Sequence, residues 1–90
     1  MEHSAEVLNA VYTEFQKAAA KFPKFNSAHE GYAVLLEEVD ELWDEVKLNH
    51  SDRSKRRMRE EAIQIAAMAM RFIMDVCDKK VDEEQSGVMR

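Results

Sequence analysis

One proline, Pro23, and two glycines, Gly31 and Gly87, are the only residues of their kind among 90. Proline fixes φ and glycine frees it, so both are common material for tight turns. A chain with so few of them, 34% charged and 46% apolar, is expected to form a few long helices joined by short links. Its length suits a single domain, assigned to residues 1–79, and the polar stretch 80–90 is expected to fray. A chain this short buries only about 60–65% of its unfolded surface, so a lone copy would be marginally stable.

The first helix is expected over residues 4–21, with Ser4 as N-cap. Val7, Leu8, Val11, Tyr12, Phe15, Ala18, Ala19 and Phe22 recur at spacings of three and four and give it one apolar face. Pro23 ends it, because the residue before a proline avoids the helical region. Phe22 and Phe25 are expected to fold the link back onto the core. Ser27-Ala28-His29-Glu30 is a capping box opening a second helix, which runs to about residue 48. Gly31, in its first turn, allows another backbone to come close. Residues 49–52 break the chain again, and Ser51 or Asp52 is expected to cap a third helix over 53–79.

That third helix starts basic and becomes apolar nearly all round from Ala62 to Val76. Such a helix must be surrounded. Two other helices cannot do this, so the pattern predicts a homodimer or homotetramer with the third helices near the middle. Its few polar residues, Glu61, Gln64, Arg71 and Asp75, share one narrow stripe and need partners or a use. Cys77, the only cysteine, cannot form an internal disulfide. It is expected to be a buried thiol in a reducing, cytoplasmic setting.

Several function classes are disfavoured. A net charge of −5 does not suit general nucleic-acid binding, which needs a basic surface. The N-terminus lacks the basic-then-apolar pattern of a secretory signal, and no apolar run is long enough to span a membrane. No arrangement resembles a zinc site or an activated nucleophile, and His29 and His50 fall in or beside helix caps.

The chemistry gathers in Glu37-Glu38-Val39-Asp40-Glu41-Leu42-Trp43-Asp44-Glu45. Wound at about 100° per residue, Leu35, Leu36, Val39, Leu42, Trp43 and Val46 form an arc expected to face a core. Glu37, Asp40 and Asp44 point to water. Glu38, Glu41 and Glu45 line one border of the arc. Like charges at these spacings cost a few tenths of a kcal/mol per pair, and a hard divalent cation removes that cost. The plainer alternative is an ordinary solvated helix flank. A short link makes antiparallel packing of the second and third helices the expectation. Glu38 and Glu41 then lie opposite Glu61 and Gln64, which gives a plausible Mg²⁺ site.

Leu36-Glu37-Glu38-Val39-Asp40-Glu41-Leu42, then 18 residues, then Glu61-Ala62-Ile63-Gln64, resembles the MazG-like, all-α nucleoside triphosphate pyrophosphohydrolases. The resemblance covers residues 27 to about 76. It implies an oligomeric helical bundle that binds Mg²⁺, with Mn²⁺ as a substitute. The reaction it implies is cleavage of a nucleoside triphosphate to a monophosphate and pyrophosphate. By motif position Glu38, Glu41 and Glu61 would be metal ligands, with Glu38 and Glu41 central to catalysis and Glu45 a helper or further ligand. The departure is Gln64, where the family carries Asp. An amide oxygen can ligate a hard cation but brings no charge and cannot act as a base. Asp75 lies about 16 Å further along the helix and cannot replace it.

For substrate contacts, Arg71 stands out by its isolation on an apolar helix, although it could equally pair with Asp75. Arg57 belongs to a basic run, residues 53–59, that could hold phosphate oxygens. The same run could be a solvated face offsetting the acidic helix. Trp43 could stack on a base, although its place on the apolar arc suits a core residue.

Overall fold

The computed structural model describes residues 2–78, and all their regular structure is helical. α1 is Glu2–Lys21, α2 is Ala28–Val46 and α3 is Lys55–Phe72. A 3₁₀ turn, His50–Asp52, lies between α2 and α3, and a π-helical segment, Ile73–Cys77, extends α3. The expected tail, 80–90, lies outside the described residues. No helix is long and apolar enough to cross a membrane among the described residues.

Local chemistry explains each boundary. α1 begins before Ser4, so Ser4 is a helical residue and not the cap. α2 starts as expected: Ser27 Oγ accepts the Glu30 amide at 3.0 Å, while the Glu30 carboxylate accepts the Asn26 amide, one residue before the cap. Neither Ser51 nor Asp52 caps α3. Asp52 is used in the 3₁₀ turn, its amide bonded to the Asn49 carbonyl, and Ser54 Oγ takes the Arg57 amide at 3.1 Å instead. Arg53 reaches back to the Val46 carbonyl at the end of α2, Nε to O 2.9 Å.

α3 packs against both α1 and α2, which make no comparable contact with one another. It is therefore the central element of a single chain. Arg57 meets Glu45, Glu61 meets Glu38 and Glu41, and Phe72 lies against Gly31. Gly31 makes room for side chains and not for a backbone: a Cβ there would stand 2.6 Å from the Phe72 ring and 3.1 Å from that of Phe25.

The core is small. Ala18, Phe25, Ala67 and Met68 are its buried apolar residues among those described, flanked by Val11, Phe15, Val34, Leu35, Phe72 and Val76. Phe25 does fold the link inward, but Phe22 is 52% exposed. Arg71 and Asp75, both buried, hold the link in place. Arg71 Nη2 donates to the Pro23 carbonyl at 2.8 Å and lies 3.8 Å from Asp75 Oδ2, and its guanidinium sits 4.3 Å over the Phe25 ring. Asp75 Oδ2 accepts the Phe25 amide at 3.2 Å.

The apolar arc of α2 is wider than this core can cover. Leu35, Leu42 and Val46 are half-buried, but Leu36, Val39 and Trp43 are exposed, Trp43 by 57%. Ile73, Met74 and Cys77 are also exposed. The expectation of a buried thiol is thus corrected: Cys77 shares the uncovered face of the π segment with Ile73, while Asp75 and Val76 take the covered one.

Candidate metal centre

The facing borders of α2 and α3 bring Glu38, Glu41 and Glu61 together. One carboxylate oxygen from each lies within 4.8 Å of the others. Glu38 and Glu41 are three residues apart, so they share one helix face, and the packing of α3 carries Glu61 to the same point. Two unit charges at that separation repel by about 1 kcal/mol in water and about 3 kcal/mol at an effective dielectric near 20. Glu41 is exposed while Glu38 and Glu61 are half-buried.

The protonation pattern reflects this crowding. The Glu38 carboxyl is pushed up to about 7, first by burial, then by the charge of Glu41, with which it also hydrogen-bonds, and then by Glu61 and Glu37. Glu61 is raised too, again chiefly by burial and then by Glu41. The group thus holds a proton near neutrality that a cation would displace.

The donor set suits a hard cation. All three groups offer oxygen, and ligands on one Mg²⁺ at about 2.1 Å lie up to about 4.2 Å apart. Neighbouring ligands on such an ion lie about 3 Å apart, so side-chain rotations that draw the three oxygens closer together would be needed to seat it. Gln64, one turn beyond Glu61, lines the adjoining cleft beside Glu38. It can add a neutral oxygen at the border of the group.

The other candidates fall elsewhere. Glu45 is not in the group; its Oε1 takes Arg57 Nε at 3.0 Å, so this carboxylate and this guanidinium occupy each other. Arg56 pairs with Glu60, and Arg53 with the end of α2. Arg71 reaches the cleft wall, but its donors go to Pro23, Asp75 and Met68 sulfur. Trp43 is exposed beside Leu36 and Val39 on the arc of α2.

Because α1 and α2 each pack on α3 and not on one another, a cleft of about 590 Å³ opens between them. Ala18 and Met68 supply apolar lining, Phe22 and Phe25 close the link end, and Glu38 and Gln64 border it toward the carboxylate group. Lys17 and Lys21 of α1 line the side opposite α2. Sequence reasoning missed these two lysines. Their spacing of four on an amphipathic helix is that of any solvated face, and nothing local marks the gap beside them.

No family model matches the chain, and no curated protein or solved structure matches it either.

Proposed function

We propose that this chain is a Mg²⁺-dependent nucleoside triphosphate pyrophosphohydrolase of the MazG-like type. The carrying observation is the convergence of Glu38, Glu41 and Glu61 to within 4.8 Å across two helices. Support also comes from the motif positions of these residues and from the cleft beside them, whose volume suits a nucleotide-sized molecule. The α2–α3 pair is read as the antiparallel hairpin of such enzymes. The working form is a homodimer or homotetramer.

Glu38, Glu41 and Glu61 would hold the ion, with Gln64 as a neutral neighbour. Mg²⁺, or Mn²⁺ in its place, would supply charge to offset that developing on the phosphoryl oxygens. The residues themselves orient a triphosphate across the α2–α3 edge. Water adds to the α-phosphorus, and the bond to the oxygen bridging to the β-phosphorus breaks. Pyrophosphate leaves with that electron pair. The proton from water would pass to a carboxylate oxygen of the group that is not on the ion.

A panel of ribo- and deoxyribonucleoside triphosphates, followed for pyrophosphate with Mg²⁺ or Mn²⁺, tests this reading. At least one nucleotide should be cleaved, and Glu41→Gln should lower turnover by about a hundredfold or more. Metal-independent cleavage, or a Glu41→Gln variant as active as the parent, contradicts it. Gln64 favours a second reading, a module that binds nucleotide or metal without turnover. That reading predicts nucleotide-dependent thermal stabilisation and no pyrophosphate.

A further inference from the structure

We infer that the α1 side of the cleft is a polyphosphate contact, in which Lys17 and Lys21 bind the phosphate oxygens turned away from the carboxylate group. The inference rests on the proposed function for its ligand class and deepens it by naming residues that the motif does not contain. Three observations carry it. First, Lys17 and Lys21, one helical turn apart, both line the cleft. Second, neither has a carboxylate within ion-pair distance among the described residues, and Lys21 Nζ lies over the Phe22 ring, 5.5 Å from its centroid. Third, the other cation that lines the cleft is already engaged: Arg71 holds the Pro23 carbonyl and lies 3.8 Å from Asp75.

The cleft is thus polarised across its width. Glu30, Glu37 and Glu38 line the α2 side, and the two lysines line the α1 side. Glu14, one turn before Lys17, is the one carboxylate contributed from α1. A free anion would be repelled by the α2 side. A polyphosphate carrying a divalent cation is not, because it presents positive charge to the carboxylates and unshielded oxygens to the ammonium groups. Ammonium on a flexible stem suits this task, since it can follow a moving phosphate as a point charge.

The test titrates inorganic tripolyphosphate, with Mg²⁺ present, into the full chain and into Lys17→Gln, Lys21→Gln and the double variant. Lys24→Gln, which removes an equal charge outside this cleft, is the control. Saturable binding is expected for the parent, weaker by about three- to tenfold in each single variant and by more in the double variant. The control should match the parent. Equal binding by the double variant and the parent overturns the inference, as does an equal loss in Lys24→Gln or no saturable binding by the parent. Pyrophosphate release from nucleotides separates the two ideas. Cleavage that is indifferent to the double variant removes the lysine contact and leaves the proposed function. Tripolyphosphate binding that depends on the lysines, with no nucleotide cleaved, keeps the contact and removes the hydrolase.

Discussion

Glu38 loses its proton at about pH 7 in the folded chain, against 4.5 for an ordinary glutamate. Between those values the folded state binds more protons than the unfolded one, so stability must fall as pH rises through the window. Below 4.5 both states are protonated and the penalty is absent; above 7 it is fully present. Its size is on the order of 1–3 kcal/mol once partial exposure is allowed for. Glu61, also raised, adds in the same direction. In EDTA the melting temperature is therefore expected to fall between pH 5 and pH 8. Mg²⁺ competes with the proton for the same oxygens, so it should recover most of the loss at pH 8 and little at pH 5. Thermal melts at the two pH values, with and without Mg²⁺, check both signs. A stabilisation by Mg²⁺ that is equal at both would mean that the ion binds elsewhere.

Gly31 shows how one residue sets the distance between two elements. An alanine there would gain about 0.5–1 kcal/mol of helix propensity. Its methyl would also stand 2.6 Å from the Phe72 ring and 3.1 Å from the Phe25 ring, and overpacking of this kind costs about 1–3 kcal/mol. The second effect should win, giving Gly31→Ala a net loss of about 1–2 kcal/mol in urea melts. Phe72→Leu added to it should return part of that loss. A stabilised Gly31→Ala would show that the ring yields freely. The three helices were legible in the sequence from their apolar periodicity, and the start of α2 from Ser27 and Glu30. That Glu38 and Glu41 could lie opposite Glu61 was read from their helical spacing together with the short link, and the motif positions named the same three residues. The cap of α3 was not legible: Ser51, Asp52 and Ser54 all carry suitable oxygens, and only the closure of the 3₁₀ turn selects Ser54. Nor was the cleft, which depends on α1 and α2 both choosing α3 as partner. That preference involves residues far apart in sequence, such as Ala18 and Met68, and leaves Lys17 and Lys21 looking like any exposed pair.

Across the described residues, apolar surface exceeds what they cover among themselves. Tyr32, Leu36, Val39 and Trp43 recur along α2 at spacings of four, three and four, and all are exposed. Periodicity alone marks such residues as a core face but cannot say whose core, which is why Trp43 was expected inside. A contiguous apolar stripe on a helix is costly to leave in water, whereas scattered apolar residues are ordinary. The four buried apolar residues among those described offer little surplus stability to offset that cost. The proposed homo-oligomer resolves it if the stripe lies at the seam between copies, and this makes a sharper prediction than oligomerisation itself. Trp43→Glu places a charge in the middle of the seam. Burying an unpaired carboxylate costs several kcal/mol, so the assembly should weaken at least a hundredfold. On the surface of a lone chain the same change is close to neutral, within about 0.5 kcal/mol. Sedimentation of the parent and of Trp43→Glu separates the cases. A parent heavier than one chain and a variant reduced to single chains place the stripe at the seam, while an oligomer that survives Trp43→Glu moves the seam to another face.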